Sequence, residues 1–422
     1  MPDEDAKQPR EPRLVAGRGG TRMFSVAALA ERIREQFMME LSGSDVLHEA
    51  NTPSKRMRLV RDVTDYVIAV ESIAMTSDDK ATLMQRVYSE LFGYGPLDAL
   101  FADPLVTTIA LNGADHAAVR YGHDELQDVS PLFEDADQVR TIVERLLVDA
   151  GAEMVSESPI VETGLTIGGR RVSLSVVTPA FGTHLTADIR LHPTTAPSLN
   201  DLVANQALTE EAADVLRRLV ASPYGFVVAG ETETGKTTLL NALAGEMAIA
   251  EDAAPGAAVE RTGEMRLPER WVCYQPTWGR DESESVQFGQ RIEEALAAAP
   301  GCLMIDEVRA DDPTSIAPLL TREDVPRQAW AFRGAPDHKR LQSALGMLAR
   351  RAEVGAGEAL VHALYTRLPF VISVARIQGR LKLFSIAEWQ SRIDTDYPDY
   401  VQLFRYSEGS SRATGAQLAR WI

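Results

Sequence analysis

The run Gly230-Glu231-Thr232-Glu233-Thr234-Gly235-Lys236-Thr237-Thr238 constrains this chain more than any other feature, because it satisfies the phosphate-loop spacing Gly-x-x-x-x-Gly-Lys-Ser/Thr. Such a loop works only between a strand and a helix. The apolar stretch from Tyr224 to Ala229 reads as a short buried strand, and the stretch starting at Thr237 as the helix. Backbone N–H groups at that helix start would point at phosphates, where the helix dipole also favours negative charge. Lys236 is expected to reach the terminal phosphates and the Thr237 hydroxyl a Mg²⁺ ion, so the predicted ligand is ATP with Mg²⁺.

One residue departs from the usual loop. Glu233 stands where many such loops carry a third glycine, at a position close to the phosphates and often in a conformation that only glycine adopts cheaply. A carboxylate facing the phosphates opposes binding; turned outward, it is compatible with binding.

Two or three domains fit the 422 residues. The 43 basic against 61 acidic residues give a net charge of −18, which repels nucleic acid and anionic lipid globally. No nucleic-acid partner is expected. Cys273 and Cys302, the two cysteines, each lie in an apolar stretch and read as buried core thiols. The N-terminal MPDEDAKQPREP lacks the basic start and apolar core of a signal peptide, and no apolar run reaches the roughly 18 residues that span a bilayer. A cytoplasmic protein is predicted, with membrane association peripheral only.

Residues 1–22 read as a disordered tail, and 23–92 as a helical module with helices from about Phe24 to Leu41, over 55–75 and over 77–92, the last capped by Ser77. Residues 93–193 alternate short strands, turn glycines and one helix over 136–151, which predicts a compact α+β domain. A Pro-punctuated linker over 193–199 leads into a domain over 200–422, which holds the phosphate loop and should be α/β with a largely parallel sheet. A second chemical motif is CLMIDEVR at 302–309, where Asp306 would assist the metal and Glu307 would orient an attacking water at the end of a buried strand.

In this order the segments resemble the motor ATPases of the type II/IV secretion superfamily, most closely the tight-adherence pilus branch, over roughly residues 80–405. LFGYGPLDALFADPLVTTIALNG at 91–113, GGRRVSLSVVTPAFGTHLTADIR at 168–190 and LPFVISVARIQGRLKLFSIAEW at 368–389 carry the likeness. It implies a RecA-like motor domain behind a smaller α+β domain. It also implies that Arg171 and Arg190 belong to the arginines that approach nucleotide phosphates, with surface ion pairs as the competing reading. The acidic box after the loop is present as Glu260-Arg261-Thr262-Gly263-Glu264-Met265. By resemblance Glu260 acts near Mg²⁺ or water and Glu264 supports it; a solvated turn is the alternative.

Other family positions differ. ALAAAPGC over 295–302 lacks the expected arginines, and TREDVPRQAWAF at 321–332 holds neither histidine of the family's histidine box, while His338 and His362 lie outside the pattern and read as surface or core residues. The resemblance therefore implies a divergent, hexamer-forming Mg²⁺-dependent ATPase of a pilus-like or secretion apparatus, docked on an inner-membrane platform protein. A hydrolysis-deficient regulatory paralogue that pairs with an intact motor is the first rival, and a DNA translocase the second.

Overall fold

The computed structural model describes residues 14–16, 23–154, 160–179, 184–248, 255–278, 285–390 and 398–420. Two compact units divide the chain, Met1–Asp103 and Pro104–Ile422.

In the first unit, strands β1 (Leu14–Ala16) and β2 (Met23–Ser25) pair antiparallel, followed by helices α1 (Val26–Leu41), α2 (Asp45–Glu49), α3 (Pro53–Val70), α4 (Ser77–Phe92) and α5 (Leu97–Ala102). The apolar spacing of α1, α3 and α4 buries Leu29, Ile33 and Phe37 against Val60, Val63, Val67, Leu83 and Val87. Two sequence expectations are corrected. The tail is not wholly without structure, since the short apolar run Leu14–Ala16 forms β1; the remainder of 1–22 lies outside the described residues. Thr76, not Ser77, caps α4, because its hydroxyl accepts the Asp79 N–H at 3.1 Å and so leaves Ser77 as the first helical residue.

The second unit begins with β3 (Val106–Asn112), β4 (His116–Tyr121), β5 (Gln127–Asp128), α6 (Ala136–Asp149), β6 (Ile160–Ile167), β7 (Arg170–Val177) and β8 (Thr186–Leu191). These strands form one antiparallel sheet in the order β5-β4-β3-β8-β7-β6. Strand alternation sends Val119, Val172, Leu174 and Ile189 into its core.

Then come α7 (Leu199–Ala204), α8 (Glu210–Ala221), β9 (Phe226–Gly230), α9 (Lys236–Ala248), β10 (Gly256–Glu260), β11 (Val272–Tyr274), α10 (Phe288–Ala297), β12 (Cys302–Val308), α11 (Ala317–Thr321), β13 (Arg327–Arg333), α12 (His338–Ala352) and α13 (Gly357–Arg367). Strands β14 (Phe370–Ile377), β15 (Arg380–Gln390), β16 (Asp399–Ser407) and β17 (Ser410–Ala413) complete a nine-stranded sheet ordered β11-β10-β12-β13-β9-β14-β15-β16-β17. From β11 to β14 the strands are parallel; β15 to β17 continue antiparallel.

Strand β9 is buried on both faces. Phe226 and Val228 join Leu216, Leu239 and Leu243 on one side, while Val227 and Ala229 join Ile292, Leu345 and Leu364 on the other. Helices cover both faces, which is why these strands read as continuous apolar runs. This is the α/β RecA-like architecture, and it brings the carboxyl ends of β9, β10 and β12 to one edge of the parallel sheet, with β13 between β12 and β9, where such sheets bind ligands.

Candidate nucleotide site

The loop closes between β9 and α9. Thr234 turns its hydroxyl back to the Glu231 carbonyl at 2.8 Å, and Gly235 takes φ +93°, a conformation a side chain would strain. Lys236 is buried, its Nζ donating to the Glu231 carbonyl at 2.9 Å and lying 2.9 Å from Glu307 Oε2. The Thr237 hydroxyl donates to Asp306 Oδ2 at 2.8 Å. Glu231 and Thr232 are exposed and Thr238 is half-buried at the start of α9. The loop lysine and threonine thus face the two acids of β12.

Electrostatics separate those acids. Burial pushes the Asp306 carboxyl well above the usual carboxylate range, and the Glu264 and Glu307 charges push it further. Burial would raise Glu307 as well, but the Lys236 ammonium and then the Arg309 guanidinium outweigh it and hold Glu307 below its ordinary value. Thr237 and Asp306 present neighbouring hard oxygens at the loop, the donor chemistry that suits Mg²⁺.

Glu233 has φ +60°, the left-handed conformation anticipated for a glycine. Its carboxylate turns toward arginines: Arg120 Nη1 on β4 at 2.6 Å, Arg190 Nε on β8 at 3.7 Å and Arg376 Nη1 on β14 at 4.0 Å. Of the two arginines assigned by resemblance, Arg190 therefore reaches the loop. Arg171 does not: its guanidinium donates to the carbonyls of Gly263 and Met265 and lies 3.9 Å from Glu260.

The acidic turn divides in the same way. Glu260 is buried, and its oxygens accept from the Met265 N–H at 2.7 Å, Gln275 Nε2 at 3.0 Å and the Cys273 thiol at 2.9 Å. Those partners make it a brace for the 260–265 turn. Glu264 accepts from the hydroxyls of Ser173 and Thr262, each at 3.2 Å, with His192 Nε2 at 3.9 Å. Cys273 is exposed, which corrects its reading as a core thiol: it lies on β11, the edge strand of the sheet, with its thiol turned to Glu260. Cys302 is buried as expected. The second half of the segment aligned with the histidine box is the buried strand β13, whose Trp330 and Phe332 are core, while His338 and His362 are exposed.

Sequence reasoning missed Arg120, Arg376, Arg309, Glu162 and His192. Arg309 links Glu307 (3.2 Å) to Glu162 on β6, with which it pairs bidentately at 2.8 and 3.0 Å. A chain of alternating charge, Lys236-Glu307-Arg309-Glu162, therefore runs from the phosphate loop into the antiparallel sheet.

A strand–loop–helix with this lysine, threonine and acid pair defines a P-loop nucleotide-binding protein. Residues 101–319, more than half of the chain, match the family of type II/IV secretion system proteins, and the chain belongs to that family. A putative conjugal transfer protein of Mycobacterium tuberculosis is 28% identical over 253 residues, covering 58% of this chain and 71% of that protein. The conjugal transfer protein TrbB of Rhizobium radiobacter is 29% identical over 162 residues, 37% of this chain and 47% of its own length. Among solved structures, the ATPase DotB of Legionella pneumophila aligns with a TM-score of 0.47 and 14% identity, covering 73% of this chain and 78% of that one.

Proposed function

We propose that the chain is a Mg²⁺-dependent ATP-binding motor of a pilus-like or secretion apparatus, of the tight-adherence kind by sequence resemblance, acting as a hexamer in the cytoplasm against an inner-membrane platform protein. The observation that carries this reading is the pairing of Lys236 with Glu307 and of Thr237 with Asp306. Among the described residues, no helix is long and apolar enough to cross a membrane.

In this reading the loop amides and Lys236 hold the phosphates, so the phosphates compete with Glu307 for the ammonium. Released from Lys236, Glu307 keeps its contact with Arg309 and orients water toward the terminal phosphate. Thr237 and Asp306 would hold Mg²⁺, which neutralises charge developing on the phosphates. Because Arg309 also grips Glu162, exchange at Lys236 is felt in the antiparallel sheet, and that movement is the proposed work stroke.

A second reading, an ATP-binding regulator without turnover, is favoured by Glu233 inside its arginines and by the core strand that stands where the histidine box is expected. Phosphate release from ATP by the full chain, with and without Mg²⁺, separates the two. Mg²⁺-dependent turnover supports the motor; ATP binding without turnover supports the regulator; neither binding nor turnover contradicts both.

A further inference from the structure

Resting on that nucleotide reading, we infer that Glu233 is a resident stand-in for a nucleotide phosphate, and that together with Arg120, Arg190 and Arg376 it sets the discrimination between nucleoside triphosphate and diphosphate.

Three strands from two sheets, β4, β8 and β14, each deliver one guanidinium to the same carboxylate. Such convergence is how proteins build a site for a phosphate or carboxylate. The arginines are not held by Glu233 alone: Arg190 also contacts Asp188 at 3.2 Å and feels the Glu264 charge, and Arg376 also donates to the His123 carbonyl at 3.4 Å. Arg120 is mostly buried, and among the described residues its Nε has no hydrogen-bond partner, so the cluster holds donor capacity that Glu233 does not use. Arg376 is pulled below its ordinary value by burial and then by the Arg120 charge, with Glu233 opposing. The carboxylate is thus a partial neutraliser of a site that favours a larger anion.

Position adds the specificity. Glu233 lies three residues before Lys236 within the phosphate loop, so its carboxylate sits beside the phosphate path. A carboxylate carries one charge. The third phosphate of a nucleotide carries more charge and more acceptor oxygens, so it can take the arginines from Glu233; a diphosphate, which ends at the loop amides and Lys236, cannot.

The test uses calorimetric titration of the full chain with Mg-ADP and with a non-hydrolysable Mg-ATP analogue, for wild type, Glu233→Gln, Glu233→Gly, Arg120→Ala and the Arg120→Ala/Glu233→Gln double variant. Glu233→Gln keeps the side-chain size and backbone demand while removing the charge, and Glu233→Gly also relieves the left-handed conformation, so the pair separates the effect of charge from that of backbone strain. One charge-assisted hydrogen bond is equivalent to roughly tenfold to a hundredfold in affinity, so Glu233→Gln should tighten the triphosphate analogue at least about tenfold. ADP should change by less than about threefold, and Arg120→Ala should abolish the gain. Equal gains for both nucleotides, or a gain that survives Arg120→Ala, would overturn the inference and leave the nucleotide reading intact. Absence of nucleotide binding in every variant, Glu233→Gln included, would overturn both.

Discussion

Replacing Glu307 by Gln changes one charge at the junction of two cations, and its consequences differ for stability, binding and turnover. In the wild type the carboxylate lies 2.9 Å from Lys236 Nζ and 3.2 Å from Arg309 Nε, with Lys236 5% and Glu307 19% exposed. Removing one partner of a buried pair costs about 3–5 kcal/mol. The cost here is smaller, since Lys236 keeps the Glu231 carbonyl, Arg309 keeps Glu162, and the amide oxygen still accepts a hydrogen bond. About 2 kcal/mol is expected, a fall in melting temperature of about 4 °C for a unit of this size. ATP affinity should hold or improve by up to about tenfold, because the phosphates no longer compete with a carboxylate for Lys236. Hydrolysis should fall by about 10²–10⁴-fold, the usual weight of a positioned base. Thermal melts, calorimetric titration and a phosphate-release assay read the three effects. Wild-type turnover in Glu307→Gln would refute the assignment and point to Glu264, since the oxygens of Glu260 are already engaged in its turn. A marked loss of ATP affinity would refute the competition for Lys236.

Gly164 in β6 packs so closely on the 262–263 turn that an added Cβ would lie 2.1 Å from the Thr262 carbonyl oxygen; Gly164→Ala should destabilise the chain by about 1–3 kcal/mol in a denaturant melt, and an unchanged midpoint would deny the contact. Glu162→Gln should leave ATP affinity within a few-fold while lowering turnover, because it releases Arg309 and so loosens Glu307; steady-state kinetics that show a raised KM at constant kcat would contradict that role. His192 is held below its ordinary value by burial, against the opposing pull of Glu264, with Ser173 Oγ 2.5 Å from its Nε2. The unfolded chain therefore takes up this proton more readily than the folded one, so melting temperature should fall as pH drops below about 6.5 toward the depressed folded value, and His192→Asn should flatten that slope.

What was legible in the sequence is what is local. The loop, the strand before it, the helix after it and the β12 acids each sit within one strand–turn unit, where apolar runs and residue spacing report the geometry directly. Glu233 was legible as an anomaly, because a positive-φ position without glycine contradicts local rules, but its partners were not. Arg120 lies 113 residues away on β4, where the alternation that buries Ala117 and Val119 gives its own position no mark of function. Glu162 and Arg309 are 147 residues apart and meet only because β6 and the end of β12 come together in the folded unit. Glu260 and Arg171 illustrate the converse: their motif positions matched, yet a short turn of six residues folds back and uses both as internal supports.

Nucleotide binding through Lys236 is read by titrating Mg-ATP into the full chain and into Lys236→Ala under identical conditions. Saturable binding by the wild type, weakened by about 1.5–3 kcal/mol in the variant, is the predicted result. Equal affinity in the two proteins, or no binding by the wild type, would contradict it.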